Sequence, residues 1–150
     1  MVKIILVPTD GSEHADKAVA FAADIAQKYG AQVSLLYVMS ELGSGRVPEE
    51  LRGLARLEHV EITERDIRQS AANELLRRAE RRAREHGAAR VECVIEHGDP
   101  TRRILDCAEA READLIVMGS RGLGDLRGLL LGSVSQKVGR LAKCTCITVR

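Results

Sequence analysis

The hydrophobic residues of this chain follow two alternating patterns, short unbroken runs and longer stretches with helical spacing. The first run, Ile4 to Val7, is aliphatic throughout and ends at Pro8, which is typical of a strand buried on both faces of a parallel sheet. Ser12 then predicts a helix N-cap, and Gly30 is placed to end that helix. The inward positions of the helix are Ala15, Ala18, Val19, Ala22 and Ile25.

The same alternation continues along most of the chain. Further strands are predicted at Gln32 to Val38, Val91 to Ile95, Leu115 to Met118 and Thr145 to Val149. Further helices are predicted at Asp66 to His86, after an Asp99 N-cap with Pro100 in the first turn, and at Ser133 to Leu141. For the Asp66 to His86 helix, the predicted apolar stripe is Ile67, Ala71, Leu75, Ala79 and Ala83.

One segment, about Ser40 to Arg65, lacks a clean period and carries Gly43, Gly45 and Pro48 among charged residues. This pattern predicts a long, partly helical excursion that serves as a variable lid or linker. The 150 residues have the size of one ordinary domain, so we expect a single domain over residues 1–150.

Strands that alternate with helices in this way predict an open, doubly wound α/β domain. In such sheets, ligands bind outside the carboxyl ends of the strands, at the point where the strand order reverses. Asp10, Val38 and Gly119 all stand at such ends. We therefore expect a ligand site at this edge of the sheet.

Composition and charge argue against several classes of function. With two Tyr, one Phe and no Trp, the chain is poorly supplied for base stacking, and its net charge of +1 creates no field that gathers polyanions, so no nucleic-acid partner is expected. No apolar stretch approaches a membrane span, and Asp10 follows the short N-terminal run at once, so we expect a cytoplasmic protein without a membrane partner. The four scattered cysteines favour small apolar fillers over a redox or metal site.

The motif with the clearest chemistry is Gly-x2-Gly-x9-Gly-Ser, which runs from Gly119 through Gly122 to Gly132 and Ser133. Each glycine permits close backbone approach or a positive φ, and the pair Gly132 and Ser133 is expected to place free amides at a helix N-terminus. The hydroxyls of Ser133 and Ser135 can reach phosphate oxygens. A tight turn and a helix cap account for each part alone, but the combination at a strand end favours phosphate binding.

Two better-known phosphate motifs are excluded by the same residues. A Walker loop requires a Gly-Lys pair, which the chain lacks. The dinucleotide fingerprint fails because Arg127 stands where its third glycine belongs, and because this loop follows the fourth strand and not the first.

The glycine spacing, together with Val-Pro-Thr-Asp-Gly-Ser near the start and Gly-Asp-Pro before the third helix, resembles the universal stress protein family in its ATP-binding subclass. The resemblance spans nearly the whole chain and weakens only across Ser40 to Arg65. It implies an open five-stranded parallel sheet, doubly wound with helices on both faces, a Rossmann-like fold of the adenine nucleotide alpha hydrolase type. It also implies a homodimer formed through the strand at residues 145–149.

Carried over residue by residue, the family's ATP site implies roles for particular residues of this chain. The ribose and adenine side is lined by Pro8, Thr9 and Asp10, with Val38 contacting the adenine edge through its backbone. Over the ribose and phosphates lie Met118, Gly119 and Gly122. The phosphate tail is held by Gly132, Ser133, Val134 and Ser135.

Two charged residues have roles that stay open at this point. Asp10 could accept from a ribose hydroxyl or assist a Mg²⁺ ion held mainly by phosphates and water, and it could equally form an Asx turn beside Ser12. Arg121 lies inside the loop and is the first candidate, ahead of Arg127 and Arg140, to pair with phosphates.

No nucleophile with an adjacent base and no catalytic carboxylate pair is evident, which favours binding over catalysis. We therefore expect a cytoplasmic regulatory protein of the stress response that binds ATP, hydrolyses it slowly at most, and acts on a protein partner of unknown identity. The apolar strand Thr145 to Val149 at a sheet edge agrees with a homodimer. The alternative is a protein-interaction stress factor that binds no nucleotide and whose glycine loops are structural.

Overall fold

The computed structural model describes residues 1–40, 63–123 and 131–150. Within these ranges, strands and helices alternate along the chain. The strands are β1 (Ile4–Pro8), β2 (Gln32–Met39), β3 (Arg90–His97), β4 (Leu115–Gly119) and β5 (Thr145–Val149). The helices are α1 (Glu13–Tyr29), α2 (Glu64–Glu85), α3 (Pro100–Ala110) and α4 (Ser133–Leu141).

The strands form one five-stranded parallel sheet in the order β3-β2-β1-β4-β5. The chain builds outward from β1 through β2 to β3 and then returns to place β4 on the other side of β1. The strand order therefore reverses between β1 and β4, and the crevice outside their carboxyl ends is where such sheets bind ligands. The predicted fold class is confirmed.

Among the described residues, each face of the sheet is covered by one pair of helices. Alternate residues of a strand point to opposite faces, so Val7 packs with α1 and α2, whereas Leu6, Leu36 and Ile116 pack with α3 and α4. All four side chains are fully buried. None of the described helices is both long and apolar enough to cross a membrane.

Local signals placed several element boundaries correctly. Ser12 caps α1 and accepts a hydrogen bond from the Ala15 amide at 3.2 Å, and Gly30 ends the helix in the left-handed region at φ +65°. Asp99 caps α3, with Pro100 in its first turn. The predicted bounds of α4 and β5 are the observed ones.

The predicted stripe of α2 is wrong in its first half. Ala71 is exposed, whereas Ala72 and Leu76 are buried together with Ala79 and Ala83. The prediction used a strict spacing of four residues, which rotates by about 40° per step around a helix of 3.6 residues per turn. A straight buried stripe must mix spacings of three and four.

Helix α2 also begins earlier than predicted, at Glu64. The cause is a capping box: the Thr63 hydroxyl accepts from the Asp66 amide at 3.1 Å, and the Asp66 carboxylate accepts from the Thr63 amide at 3.0 Å. The expected excursion from Ser40 to Arg65 is therefore helical at its end. Its remaining part, residues 41–62, lies outside the described residues.

Asp114, which precedes β4, fastens the start of β1. Its Oδ2 atom accepts hydrogen bonds from the amides of Lys3 at 2.7 Å and Ile4 at 3.0 Å, and these two donors lower the pKa of the carboxyl group. Because the pKa is lower in the folded state, the carboxylate contributes stability that is fully present above the ordinary Asp pKa of about 3.9. That stability is lost as the pH falls through the folded-state value.

We expect Asp114→Asn to lower the free energy of unfolding near neutral pH by about 1 kcal/mol or less, since the group is exposed and solvent-screened. The difference from the wild type should close as the pH falls below about 3.9. Urea unfolding at a series of pH values measures this. A difference that is the same at every pH would contradict a role for the charge.

Candidate functional site

A cavity of about 370 Å³ opens at the carboxyl ends of β1 and β4. This volume lies in the range of small-molecule sites. Apart from the lower-ranked candidates Arg127 and Arg140, every site residue predicted from the sequence lies in its wall. These residues are Pro8, Thr9, Asp10, Val38, Met118, Gly119, Arg121, Gly122, Gly132, Ser133, Val134 and Ser135.

Further wall residues were not predicted: Ala15, Leu36, Tyr37, Pro100, Ile104 and Leu123. Leu36 and Tyr37 carried a usable signal, because they immediately precede Val38 at the end of a strand. Pro100 carried a weak signal, because it belongs to the Gly-Asp-Pro motif. Ile104 carried none, because only the packing of α3 on the sheet brings it to this edge.

The two sides of the cavity differ in chemistry. Because β1 lies between β2 and β4, the end of β2 lines one side of the cavity. The other side is lined by the loop after β4, which contains Gly122, is described from Ser120 to Leu123, and is called the glycine loop below. On the β2 side, Leu36 and Ile104 are buried in the core layer beneath α3, and Val38 is packed against it. On the β4 side, backbone groups, serines and Arg121 predominate. An apolar ring and a chain of anionic groups would each find suitable neighbours.

Two glycines of the loop lie where a side chain would collide. A Cβ at Gly119 would lie 2.8 Å from the Ala15 nitrogen and 2.8 Å from the His14 carbonyl carbon, so β4 ends directly on the first turn of α1. A Cβ at Gly122 would lie 2.5 Å from Oδ2 of Asp10. Of the two alternatives predicted for these glycines, close approach is present and is made to the protein's own chain, whereas neither glycine has a positive φ.

Asp10 fastens the glycine loop to the end of β1. Its Oδ1 atom accepts from the Ser12 amide at 2.9 Å, which is the Asx turn, and its Oδ2 atom accepts from the Leu123 amide at 3.0 Å. The second hydrogen bond spans the switch point and was not predicted. Both carboxylate oxygens therefore already accept from the backbone.

The first turn of α4 forms the far wall of the cavity. Gly132 is its N-cap, and no side chain caps it among the described residues. The expectation of a free Gly132 amide is wrong, because that amide donates to the Ser120 carbonyl at 2.6 Å. The Ser135 hydroxyl likewise donates to backbone carbonyls. The turn therefore offers a ligand chiefly the amides of Ser133 and Val134, and the exposed hydroxyl of Ser133.

The arginine candidates are separated by the structure. Arg121 is half-buried in the cavity wall and brings a positive charge to the glycine loop. Arg140 lies exposed in the last turn of α4, outside the wall, and Arg127 lies outside the described residues. Of the two candidate arginines that the structure describes, Arg121 is the one in the cavity wall.

Three of the four cysteines are packed as small side chains, whereas Cys93 is exposed. Cys107 is buried on the inner face of α3, and Cys144 and Cys146 pack against the same core layer. Burial raises the pKa of all these thiols and of the Cys93 thiol, which disfavours the reactive thiolate at neutral pH. These environments suit fillers better than redox groups.

Comparison with known proteins extends the similarity over the whole chain. The family model described as universal stress protein family matches residues 1–150. A universal stress protein of Thermus aquaticus is 38% identical over 154 residues, which cover 100% of both chains.

Two solved structures share the fold. A universal stress protein in complex with cAMP is 27% identical, with a TM-score of 0.73, and the match covers 99% of this chain and 97% of that one. The universal stress protein from Archaeoglobus fulgidus in complex with dAMP is 26% identical, with a TM-score of 0.67, covering 100% of this chain and 98% of that one.

We expect Gly119→Ala to lower the free energy of unfolding by about 2 kcal/mol or more, because its methyl group would overlap helix backbone and not a movable side chain. Gly139→Ala is the matched control. A Cβ at that position in α4 meets nothing within 4 Å, and alanine favours the helix by up to about 1 kcal/mol. Urea unfolding of both variants and the wild type checks this. A Gly119→Ala variant as stable as the wild type would refute the close approach.

Proposed function

Since this chain belongs to the universal stress protein family, we propose that it is an ATP-binding regulatory protein of the cellular stress response. The observation that carries the proposal is a single cavity at the strand-order reversal, apolar beside β2 and rich in backbone donors beside β4. The related structures in complex with cAMP and dAMP support an adenine nucleotide as the ligand.

The adenine and ribose are assigned to the β2 side. Val38 provides apolar surface for the ring, and backbone groups at the end of β2 can read its edge. Thr9 is almost fully buried in the wall, and its hydroxyl oxygen accepts from the Gly11 amide at 3.3 Å. The hydroxyl proton of Thr9 is then available to donate to the ribose.

The phosphates are assigned to the β4 side. The uncapped first turn of α4 presents the amides of Ser133 and Val134 at the positive end of the helix dipole, where an anion is stabilised. Arg121 adds a full positive charge from the loop that follows β4. A phosphate chain would thus act as the cap that α4 lacks among the described side chains, which favours ATP over adenosine.

The residues present suit Mg²⁺ only as a companion of the nucleotide. No group of three or more His, Cys, Asp or Glu that could hold a metal occurs among the described residues. Asp10, the acidic residue of the wall, already accepts from two amides. Phosphates and water would therefore supply most of the ligands. Because both oxygens of Asp10 already accept hydrogen bonds, no general base is evident among the described wall residues to activate a water molecule. We therefore propose slow ATP hydrolysis at most.

We expect saturable ATP binding by the wild type at or below about millimolar nucleotide, measured by titration calorimetry. Arg121→Gln should weaken ATP binding about tenfold through loss of a charge-assisted contact, and should change adenosine binding by less than about twofold. Arg140→Gln, which removes an arginine outside the wall, should change neither. A wild type that binds no ATP would favour the alternative, a stress factor that acts through protein contacts alone.

We further propose that two copies associate through β5 in the cytoplasm. β5 lies at one edge of the described sheet, and an apolar edge strand invites pairing with another chain. The Val149 carbonyl accepts from the Ser120 amide on the β4 side. Because backbone groups alternate in direction along a strand, those of Thr148 point to the open edge.

We expect Thr148→Pro to give a monomer by light scattering, because it removes an outward amide without removing a donor to β4. Thr148→Val keeps the amide and should remain a dimer. Thermal unfolding must show both variants folded. A folded Thr148→Pro dimer would refute pairing through β5.

A further inference from the structure

Ser120 is a fully buried residue of the glycine loop, and it joins four elements. Its amide donates to the Val149 carbonyl at 2.7 Å, and its carbonyl accepts from the Gly132 amide at 2.6 Å and from the Ser135 hydroxyl at 3.0 Å. Its own hydroxyl oxygen is hydrogen-bonded to Nδ1 of His14 at 2.8 Å. This one residue connects the end of β4 with β5, α4 and α1.

His14 supplies the connection to α1 and is not part of the cavity wall. It is half-buried in the first turn of α1, and its backbone also lies against Gly119. The imidazole therefore fixes the position of Ser120 by a hydrogen bond, and the His14 backbone leaves no room for a side chain at Gly119. Two successive residues of the loop take their position from one residue of α1.

We propose that His14 is a positioning residue for the phosphate side of the ATP site and acts through Ser120; this inference rests on the proposed function. The Gly132 amide and the Ser135 hydroxyl both donate to the Ser120 carbonyl. The orientation of the Ser120 backbone therefore sets the first turn of α4, whose Ser133 amide is assigned to the phosphates in the proposed function. His14 holds that orientation by way of the Ser120 hydroxyl.

A purely structural explanation makes a different prediction. If His14 only satisfies a buried hydroxyl, removing its side chain weakens ATP binding because the Ser120 hydroxyl is left without a partner. Removing both side chains then leaves ATP binding nearly unchanged. If the pair positions the loop, removal of either member or of both has the same effect on phosphate binding. The double variant therefore separates the two explanations.

The experiment uses the full chain and titrates ATP and adenosine into the wild type, His14→Ala, Ser120→Ala and the double variant. We expect all three variants to bind ATP about tenfold more weakly, without additivity, and to bind adenosine within about twofold of the wild type. His14→Asn, which keeps a polar atom near the position of Nδ1, should recover most of the ATP affinity.

Two matched controls come from the same chain. Ser34 is also fully buried, but its hydroxyl has no hydrogen-bond partner among the described residues, so Ser34→Ala should leave ATP binding unchanged. His86 pairs with Asp24 on the surface, so His86→Ala should do the same. Thermal unfolding confirms that each variant is folded at the titration temperature.

Recovery of wild-type ATP affinity in the double variant would overturn the inference, as would an equal loss of ATP and adenosine binding. Variants that bind ATP as tightly as a binding-competent wild type would overturn it while leaving the proposed function intact. A wild type that binds no ATP would remove the proposed function and this inference together.

Discussion

The contact between the end of β4 and the first turn of α1 sets the geometry of the whole carboxyl edge of the sheet. At Gly119 the strand and the helix backbone are too close for any side chain. The chain must therefore leave β4 through a residue without a Cβ and turn at once. The loop that results crosses the strand-order reversal and closes one side of the cavity, so the shape of the site follows from a packing distance.

Two side-chain links then hold the described first residues of this loop, Ser120 to Leu123. Asp10 accepts from the Leu123 amide, and His14 is hydrogen-bonded to Ser120. Each link joins the β1 to α1 segment with the loop after β4, and the residues of each pair are more than a hundred positions apart in the chain. A loop fastened in this way loses less conformational entropy when a ligand binds, which is the physical advantage of preorganisation.

The doubly wound topology explains why one cavity combines two chemistries. β1 lies in the middle, with an apolar strand end on one side and a glycine loop and helix N-terminus on the other. A ligand with a ring at one end and phosphates at the other matches that order. The chain belongs to the universal stress protein family, and its strand order places the two chemistries that the proposed ATP site needs on the two sides of one cavity.

The sequence by itself determined the elements, their order and the motif of the site. The caps at Ser12 and Asp99 and the glycine spacing are local, because they depend on residues a few positions apart. Only the tertiary structure decided that α3 brings Ile104 to the cavity and that the amide of Gly132 is already engaged. These features depend on contacts between segments far apart in the chain, whose distances are set when helices pack on the sheet and not by any local pattern.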